Sequence, residues 1–430
     1  MRTVAAHAAR THSPDGGPTL RISPRTLLVV LVSAAALATS ALPASATART
    51  APGATNAAWS QTNGDAAQSR TNHHESVLTS RTVHGLGYRR SIVARPVSLG
   101  DGCEAPGIAT PVLTGGHVVA VVNGRVSTYI ASTGHLLWSA KLDPTYTTTY
   151  SFLSVADGIV VVGGEDCESH SDPNGVEQAY NAKTGAHLWT EQTTPDGGAL
   201  SQLVVSGRYV VATGISVGSG QMTSVRKLTT GAVVWFQTTG LCESFSSSNL
   251  VVVDGNVVYP HCDQDGEDPV LEADGLASGA VAWTRSGTWS VEQGDTDALT
   301  SRHLIVIGPT NLLTDLAPAT GHTRHHLAGA VQSLVVGTAR VYTTCGTGSV
   351  CAYRLSSGAR LWSVTNASTL GAEAAGLLYL SDGSVRAVKT GAVVKRFGNG
   401  DEPSALVEGN GRVGVIDGPR VLDLYGLAGS

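Results

Sequence analysis

The segment Lys183-Thr184-Gly185-Ala186-His187-Leu188-Trp189 recurs, with small changes, along most of this 430-residue chain. In each intact copy a glycine is followed four residues later by a tryptophan, and two degenerate copies, at Gly321 and Gly391, keep only the glycine. The intact copies pair Gly134 with Trp138, Gly185 with Trp189, Gly231 with Trp235, Gly279 with Trp283 and Gly358 with Trp362. The glycines lie 33 to 51 residues apart. A period in the forties indicates an array of repeated supersecondary units.

Short β-branched runs, separated by turn residues, fill the intervals between the copies. In the second unit they predict strands at residues 152–155, 159–162, 176–181 and 187–192. Asp157-Gly158 supplies a turn that tolerates positive φ. Trp189 then lies on the fourth, outermost strand, and alternation places it on the same face as His187, between neighbouring units. The sequence therefore predicts an all-β protein, a β-propeller of four-stranded antiparallel blades.

The number of blades follows from counting outer strands. The seven motifs supply seven, and the C-terminal region adds strands at 404–408, 412–416 and 420–425 that lack an outer partner. An isolated strand at 86–93 has no neighbours of its own. We predict that it pairs outside 420–425, which closes an eight-bladed ring without an open edge between the termini. A seven-bladed ring is the alternative.

The N-terminal region has the pattern of a secretory signal. Four arginines precede an apolar stretch at 27–42, and Ala44-Ser45-Ala46 provides a small-residue cleavage site. The stretch is shorter than the roughly 20 residues of a membrane span. We predict a signal peptide at 1–48, a linker at 49–58 and the propeller at 59–430, hence a secreted protein of the bacterial cell envelope. An uncleaved anchor is the alternative.

Charge restricts the class of partner. Cleavage after Ala46 leaves 24 basic and 32 acidic residues, a net charge of −8. This balance argues against nucleic acid and against anionic membrane surfaces as partners. We expect a monomer, without a membrane span after cleavage, that contacts an extracellular or envelope protein.

The repeat resembles the pyrroloquinoline-quinone (PQQ) repeat, whose unit reads D-x-x-T-G-x-x-x-W, of quinoprotein dehydrogenases and of the scaffold BamB. The opening Trp59-Ser60-Gln61-Thr62-Asn63-Gly64-Asp65, with Arg70-Thr71, is similar to the segment that often precedes the first blade in that family. The resemblance covers residues 59–430 and implies the fold, but it implies either an enzyme or a scaffold. Many of the dehydrogenases carry adjacent cysteines against the cofactor, and no two cysteines are adjacent here. We therefore predict no cofactor, with PQQ or Ca²⁺ as the alternative.

The six cysteines predict disulfides, because the predicted compartment is oxidising. All six map to loops on one face of the disc. Of the fifteen possible pairings, proximity favours Cys103–Cys167, Cys242–Cys262 and Cys345–Cys351.

Acidic residues collect on the same face, which makes it the candidate binding face. Its predicted members are Glu104, Glu165, Asp166, Glu168, Glu243 and Glu267. Asp263, Asp265 and Asp268 are also the candidate ligands of a calcium ion. However, the segment lacks the glutamate that completes an EF-hand loop, so a solvated acidic loop is favoured over a metal site.

Other chemical signals are weak, and we predict no catalytic residue. A G-x-S-x-G match at 214–218 and a G-x-G-x-x-G match at 409–414 lie among predicted strands, without the helix that either motif needs. His322, His325 and His326 indicate a surface cluster, and Trp289 indicates packing instead of cofactor stacking. The leading hypothesis is a secreted, non-catalytic, protein-binding scaffold. A PQQ-dependent alcohol or sugar dehydrogenase and a carbohydrate- or ligand-binding sensor are the alternatives.

Overall fold

Eight four-stranded antiparallel sheets follow one another along the chain as the blades of a β-propeller. The computed structural model describes residues 59–95, 97–100, 103–105, 107–108, 111–142, 148–166, 174–193, 198–216, 220–240, 249–263, 267–294, 303–328, 333–346, 348–365, 370–397, 405–409, 411–418 and 420–427. The predicted fold class and the count of eight blades are confirmed, and the seven-bladed alternative is wrong.

We number the blades 1 to 8 along the chain, and within a blade the strands run from the first, innermost strand to the fourth, outermost one. Blade 1 contains Val112–Thr114, His117–Val122, Arg125–Ile130 and Leu136–Lys141. Blade 2 contains Thr148–Ala156, Ile159–Asp166, Gly175–Asn181 and His187–Gln192. Blade 3 contains Gly198–Ser206, Tyr209–Ser216, Gly220–Lys227 and Val233–Thr239. Blade 4 contains Val251–Val253, Asn256–Cys262, Pro269–Gly275 and Val281–Ser286.

Blades 5 to 8 repeat this order. Blade 5 contains Ser290–Gly294, Leu304–Ile307, Leu313–Leu316 and Thr323–Ala328. Blade 6 contains Leu334–Val336, Arg340–Thr344, Ser349–Arg354 and Arg360–Thr365. Blade 7 contains Leu370–Ala374, Leu377–Leu380, Ser384–Ala387 and Val393–Arg396. Blade 8 contains Ala405–Gly409, Arg412–Asp417, Val421–Gly426 and, as its fourth strand, Gly87–Val93.

Three shorter elements lie outside this scheme. Thr71–Asn72 pairs in parallel with the first strand of blade 7, Val97–Gly100 pairs with Cys103–Ala105, and Val83–Gly85 is a 3₁₀ turn. The predicted ring closure is confirmed, because Gly87–Val93 lies antiparallel to Val421–Gly426. Blade 8 therefore takes strands from both ends of the described chain, and the ring has no open edge at its seam.

The repeated motif joins neighbouring blades. Each tryptophan donates its indole N–H to a carbonyl of the next blade and lies against that blade's motif glycine. The hydrogen bonds are Trp138 to Ala182 (2.9 Å), Trp189 to Leu228 (2.9 Å), Trp235 to Leu276 (3.0 Å), Trp283 to Pro318 (2.7 Å) and Trp362 to Val388 (2.9 Å). A Cβ on Gly185 would lie 2.5 Å from the ring of Trp138. The motif therefore needs glycine because an indole occupies that space.

Basic side chains take the place of tryptophan at the remaining three interfaces. Lys395 of blade 7 donates to the carbonyl of Leu86 (2.8 Å), just before the outer strand of blade 8. Arg90 of blade 8 lies against Gly134 and donates to the carbonyl of Thr133 in blade 1. His325 of blade 5 lies beside Gly358 of blade 6. These three residues keep the position of the tryptophan at the interface, and Lys395 and Arg90 donate to a carbonyl there in place of the indole.

A β-bulge precedes the tryptophan position in every blade. In blade 2, Trp189 pairs with Ala179 and His187 pairs with Tyr180, so Leu188 is the extra residue. Neighbouring positions on a strand face opposite sides of the sheet. The prediction that alternation places His187 and Trp189 on one face is therefore wrong. The extra residue reverses the alternation and directs the indole into the blade interface.

The apolar core is divided among the blade interfaces. One cluster joins Val119 and Val121 of blade 1 to Leu153, Val160 and Val162 of blade 2. Similar clusters join the other neighbouring pairs, and a single larger cluster spans blades 7, 8 and 1. Each blade buries both faces of its middle strands, so the core grows by repetition and does not need one large interior.

Candidate functional site

The ring has two faces with different turn chemistry. The turns from first to second and from third to fourth strands lie on one face, which we call the turn face. The loops from second to third strands and between blades lie on the opposite face, the loop face. On the turn face, Asp157 and Gly158 have φ of 48° and 76°, which confirms the predicted turn. The motif glycines lie on this face too, with Gly185 at φ 71°.

Residues 59–75, which we call the channel segment, run around the central channel along the inner strands. The segment forms hydrogen bonds with blades 1, 2, 3, 4, 6, 7 and 8, in that order along the chain. The bonds are Leu113 N to Trp59 O (2.9 Å), Val155 N to Ser60 O (2.7 Å), Gln61 Nε2 to Val205 O (3.1 Å), Val252 N to Ala66 O (2.8 Å), Val336 N to Ser69 O (3.0 Å), Glu373 N to Arg70 O (2.9 Å) and Gly411 N to Glu75 Oε2 (3.0 Å). First strands run from the loop face to the turn face, and each bonded residue lies within three residues of the turn-face end of its strand, with Gly411 in the turn that follows. The segment therefore lies at the turn-face end of the channel.

The segment holds three non-glycine residues in the left-handed region. Asn63, Gln68 and Arg70 have φ of 61°, 55° and 54°. Their side chains support one another: Arg70 Nε donates to Asn63 Oδ1 (3.1 Å), and Asn63 Nδ2 donates to Gln68 Oε1 (2.6 Å). Such conformations persist only where the surroundings enforce them, and they concentrate at functional sites.

A cavity of about 230 Å³ lies against the channel segment. It is lined by Thr62, Asn63, Gln68 and Arg70 of the segment and by Phe152, Ser201, Gln202, Leu203, Asn249, Ser333 and Leu334. In each inner strand the lining residues precede the residue that bonds the segment, as Phe152 precedes Val155. The cavity therefore lies on the loop-face side of the segment, which forms its floor. We call it the channel chamber.

The acidic loop of blade 4 is a braced hairpin. The carboxylate of Asp263 accepts the backbone N–H groups of Glu267 (3.0 Å) and Asp268 (3.3 Å), and Asp263 N–H donates to the carbonyl of Asp268 (3.2 Å). The side chains of Glu267 and Asp268 are exposed. Asp263 thus holds the hairpin together, while Glu267 and Asp268 present charge to solvent.

The acidic binding face stays a prediction, and most of its side chains lie outside the described residues. Glu104, Glu165 and Asp166 lie on strands whose side chains are outside the described residues there, and Glu168, Glu243 and Asp265 lie outside the described residues altogether. In the part of the chain that the structure describes, no three histidine, cysteine or acidic side chains are grouped to hold a metal. The calcium ligands Asp263, Asp265 and Asp268 therefore stay a prediction.

Cys345 and Cys351 form a disulfide across the loop between the second and third strands of blade 6, with Cα atoms 5.8 Å apart. Cys262 is also disulfide-bonded. The pairs Cys103–Cys167 and Cys242–Cys262 stay predictions, because Cys167, Cys242 and the side chain of Cys103 are outside the described residues.

A buried polar cluster lies behind the acidic hairpin and was not predicted. The hydroxyl of Tyr259 donates to Asp274 (2.6 Å), Gln237 of blade 3 donates to Glu272 (3.1 Å), and His261 Nε2 lies 3.6 Å from Glu272. The signal was present in the i, i+2 spacing of polar residues on paired strands, which places them on one face.

Burial dominates the pKa values of this cluster. It raises the pKa of Asp274 to about 6, with the charge of Glu272 adding to the effect and the Tyr259 hydroxyl opposing it. Burial also disfavours ionised Glu272, but the hydrogen bond and charge of His261 outweigh it and lower the pKa of Glu272. Burial opposes protonation of His261, whereas Glu272 and the Cys262 carbonyl favour it, and the net effect is a raised pKa.

Glu177 is a second buried group that sequence reasoning missed. It lies fully buried on the third strand of blade 2, 3.7 Å from Arg226 of blade 3. Burial raises its pKa to about 7, although Arg226 opposes the shift.

The histidines do not form the predicted surface cluster. His322 and His326 are exposed, but the side chain of His325 is only 22% exposed and lies 3.9 Å from the buried Asp315. His303 makes a closer contact with that carboxylate, at 2.7 Å. Because His325 occupies the tryptophan position, it points into a blade interface instead of solvent.

Trp289 packs within the core, as predicted, and is 5% exposed in the cluster between blades 4 and 5. The G-x-S-x-G match begins within the strand Tyr209–Ser216, and no helix follows Ser216 among the residues described. In the described part of the chain, no helix has the length and apolar character to cross a membrane.

The chain is similar to one family model and to several solved structures. A family model described as outer membrane protein assembly factor BamB matches residues 56–260. The structure of BamB from Moraxella catarrhalis is similar with a TM-score of 0.55 and 18% identity, covering 80% of this chain and 98% of that chain. No curated protein matches the sequence.

Quinohemoprotein alcohol dehydrogenases share the fold as well. The enzyme from Pseudomonas putida has a TM-score of 0.61 and 13% identity, with coverage of 86% of this chain and 80% of that chain. The enzyme from Comamonas testosteroni has a TM-score of 0.60 and 13% identity, with coverage of 87% and 81%. At such identities the likeness shows the fold and leaves the activity open.

The described lining of the channel chamber contains carboxamide side chains and no carboxylate. The expected absence of PQQ and calcium stays a prediction. The repeated motif, the eight blades and the match of residues 56–260 to the BamB family model agree, and together they support the resemblance to the PQQ-like β-propeller family.

Proposed function

We propose that this protein is a secreted, non-catalytic scaffold at the bacterial cell surface, and that its loop face binds another protein. The observation that carries the proposal is the braced hairpin of blade 4. The hydrogen bonds of Asp263 fix its backbone, so Glu267 and Asp268 are displayed in a defined position. Loops held by a rigid scaffold are the usual place for recognition.

The chemistry of the loop face favours a basic partner. The exposed carboxylates attract lysine or arginine side chains, and contacts at the rim mainly increase the association rate. The BamB-like fold supports a role in protein interaction. The partner is therefore an extracellular or envelope protein with a basic surface.

Neutralising the hairpin tests this proposal. In Glu267→Gln/Asp268→Asn both exposed charges are lost, while the Asp263 brace is kept. We expect this variant to capture less envelope protein than the wild type in chemical cross-linking, and its capture to be less sensitive to salt. Asp263 is left intact because its reversal would break the hairpin itself.

The matched control is Asp157→Asn/Asp254→Asn, which removes two charges from turns on the opposite face. Both residues have left-handed φ, of 48° and 51°, which asparagine tolerates. Equal capture by wild type and both double variants would remove the hairpin from the proposed contact.

The alternative is an enzyme, and the observation that supports it is the fold shared with the quinohemoprotein alcohol dehydrogenases. A titration with PQQ and calcium, followed by tryptophan fluorescence and a dye-linked dehydrogenase assay, tests it. Saturable quenching with turnover of an alcohol or sugar would replace the scaffold proposal. Without quenching or turnover, the scaffold proposal stands.

A further inference from the structure

The described lining of the channel chamber is mostly polar. Eight of the eleven lining residues that the structure describes carry polar side chains, and four of these are the carboxamides Asn63, Gln68, Gln202 and Asn249. Among these eleven residues, Arg70 carries a charge. Phe152, Leu203 and Leu334 add an apolar part. Such a mixture matches a ligand with several hydroxyl groups, an apolar ring face and a negative charge.

Arg70 points from the floor into the chamber. Its carbonyl accepts the N–H of Glu373, while its guanidinium reaches back to the carbonyl of Leu370, at the start of the same strand (3.4 Å). That direction leads from the turn face toward the loop face. Asn63 holds the other side of the guanidinium (3.1 Å), so the cation is positioned before any ligand arrives.

The walls come from blades that the segment ties together. Gln202 accepts the N–H of Leu250, and Gln68 donates to the carbonyl of the same residue (2.9 Å). Asn249 beside them is exposed and precedes the inner strand Val251–Val253, so it lies toward the loop face. The chamber thus has a polar floor, walls from blades 3 and 4 that hydrogen bonds connect to each other and to the floor, and an exposed residue at its rim.

We propose that the channel chamber binds a sugar acid the size of a monosaccharide. Its carboxylate pairs with Arg70, its hydroxyl groups bond the carboxamide and serine side chains, and its ring lies against Phe152. The volume of about 230 Å³ is below the range of about 300–1,000 Å³ for drug-sized ligands, which favours a smaller molecule. This site is separate from the acidic hairpin, so the proposal does not depend on the scaffold function.

Calorimetric titration of the full mature protein with D-glucuronate tests the proposal. D-glucose supplies the hydroxyl groups without the charge, and acetate supplies the charge without the hydroxyl groups. We expect glucuronate to bind and both comparators to bind ~10- to 100-fold more weakly, because each lacks one set of contacts. Equal binding of glucose would overturn the role of Arg70, and equal binding of acetate would overturn recognition of the hydroxyl groups. Absence of glucuronate binding would overturn the whole proposal.

Two variants in the chamber and one control variant outside it locate the site. Arg70→Gln should weaken glucuronate binding ~10- to 100-fold and leave glucose binding unchanged. Arg208→Gln removes the same charge from an exposed turn of blade 3 and should bind as wild type does. Ser201→Leu fills the chamber from its wall without altering the floor, and it serves if Arg70→Gln does not fold. A folded Ser201→Leu protein that binds glucuronate normally would place the ligand elsewhere and overturn the assignment.

Discussion

At the scale of single residues, buried polar groups carry the chemistry that the repeat does not describe. Glu177, Asp274 and Glu272 all lie on third strands, at positions that the motif leaves unspecified. Each is buried, either at the contact between two neighbouring blades or next to such a contact. Sequence reasoning identified the glycines and tryptophans because they recur. It missed these acids because each occurs once, and only the packing of the next blade removes them from water.

Glu177→Gln should stabilise the protein at neutral and alkaline pH. The folded-state pKa of Glu177 is raised from 4.5 to about 7, so the folded form favours the neutral acid. The associated stability is present below about pH 4.5 and is lost as the pH rises through 7. At about pH 8 the substitution should raise the free energy of unfolding by on the order of 3 kcal/mol. Urea unfolding across this pH range measures the effect, which should vanish at acidic pH.

Glu191→Gln is the matched control for this prediction. Glu191 also faces Arg226, at 3.6 Å, but its side chain is 43% exposed. Its removal should change stability by less than about 1 kcal/mol at every pH. A pH-independent effect of Glu177→Gln, or equal effects of the two substitutions, would contradict the assignment of Glu177 as a buried acid.

At the scale of the element, the unit of construction is the contact between one blade's outer strand and the next blade's glycine turn. The bulge before Trp189 and its counterparts sets the direction of the indole. The strands themselves were predictable from β-branched runs and turn residues. The bulge was not, because it arises from fitting the outer strand to its neighbour across the twist of the blade.

Gly231→Ala and Gly255→Ala separate two roles of glycine. Both residues have positive φ, 70° and 77°. A Cβ on Gly231 would lie 3.0 Å from the ring of Trp189 and 2.9 Å from Cγ of the flexible Glu191 side chain, whereas a Cβ on Gly255 would meet nothing within 4 Å. Gly255→Ala should cost about 1 kcal/mol from backbone strain alone, and Gly231→Ala should cost about 1–3 kcal/mol more from the displaced indole.

Thermal and urea unfolding of the two variants measure this difference, and the fluorescence of the displaced tryptophan provides a second readout. Equal destabilisation would mean that the indole does not need the glycine, and the interface described here would be wrong.

At the scale of the whole molecule, the two ends of the described chain hold the ring together. Gly87–Val93 completes blade 8, and the channel segment forms hydrogen bonds with seven blades near the turn face. The closing strand was predictable because the C-terminal region supplies three strands of blade 8 and no fourth, outer strand. The path of the channel segment was not, because its contacts reach residues as distant as Gly411, 336 positions from Glu75.

A chain that begins at residue 95 should lose the closed ring. It would lack the channel segment and the outer strand of blade 8, and Val421–Gly426 would become an exposed edge that pairs with other molecules. We expect self-association in size-exclusion chromatography and a lower melting temperature. A chain that begins at residue 59 keeps every described contact and should remain monomeric. Equal behaviour of the two chains would contradict closure by the N-terminal strand.

The sequence by itself determined the blade, the count of blades and the ring closure, because strand runs, turn glycines and the tryptophan motif are local and repeat. It also marked Asp263, Glu267 and Asp268, which lie close together along the chain and share one hairpin. Only the tertiary structure decided that the channel has a floor, that Arg70 points into a chamber above it, and that Glu177 is shielded from water. Those features combine residues from different blades with a non-repeating segment. Their positions depend on the closed ring, which no periodic pattern records.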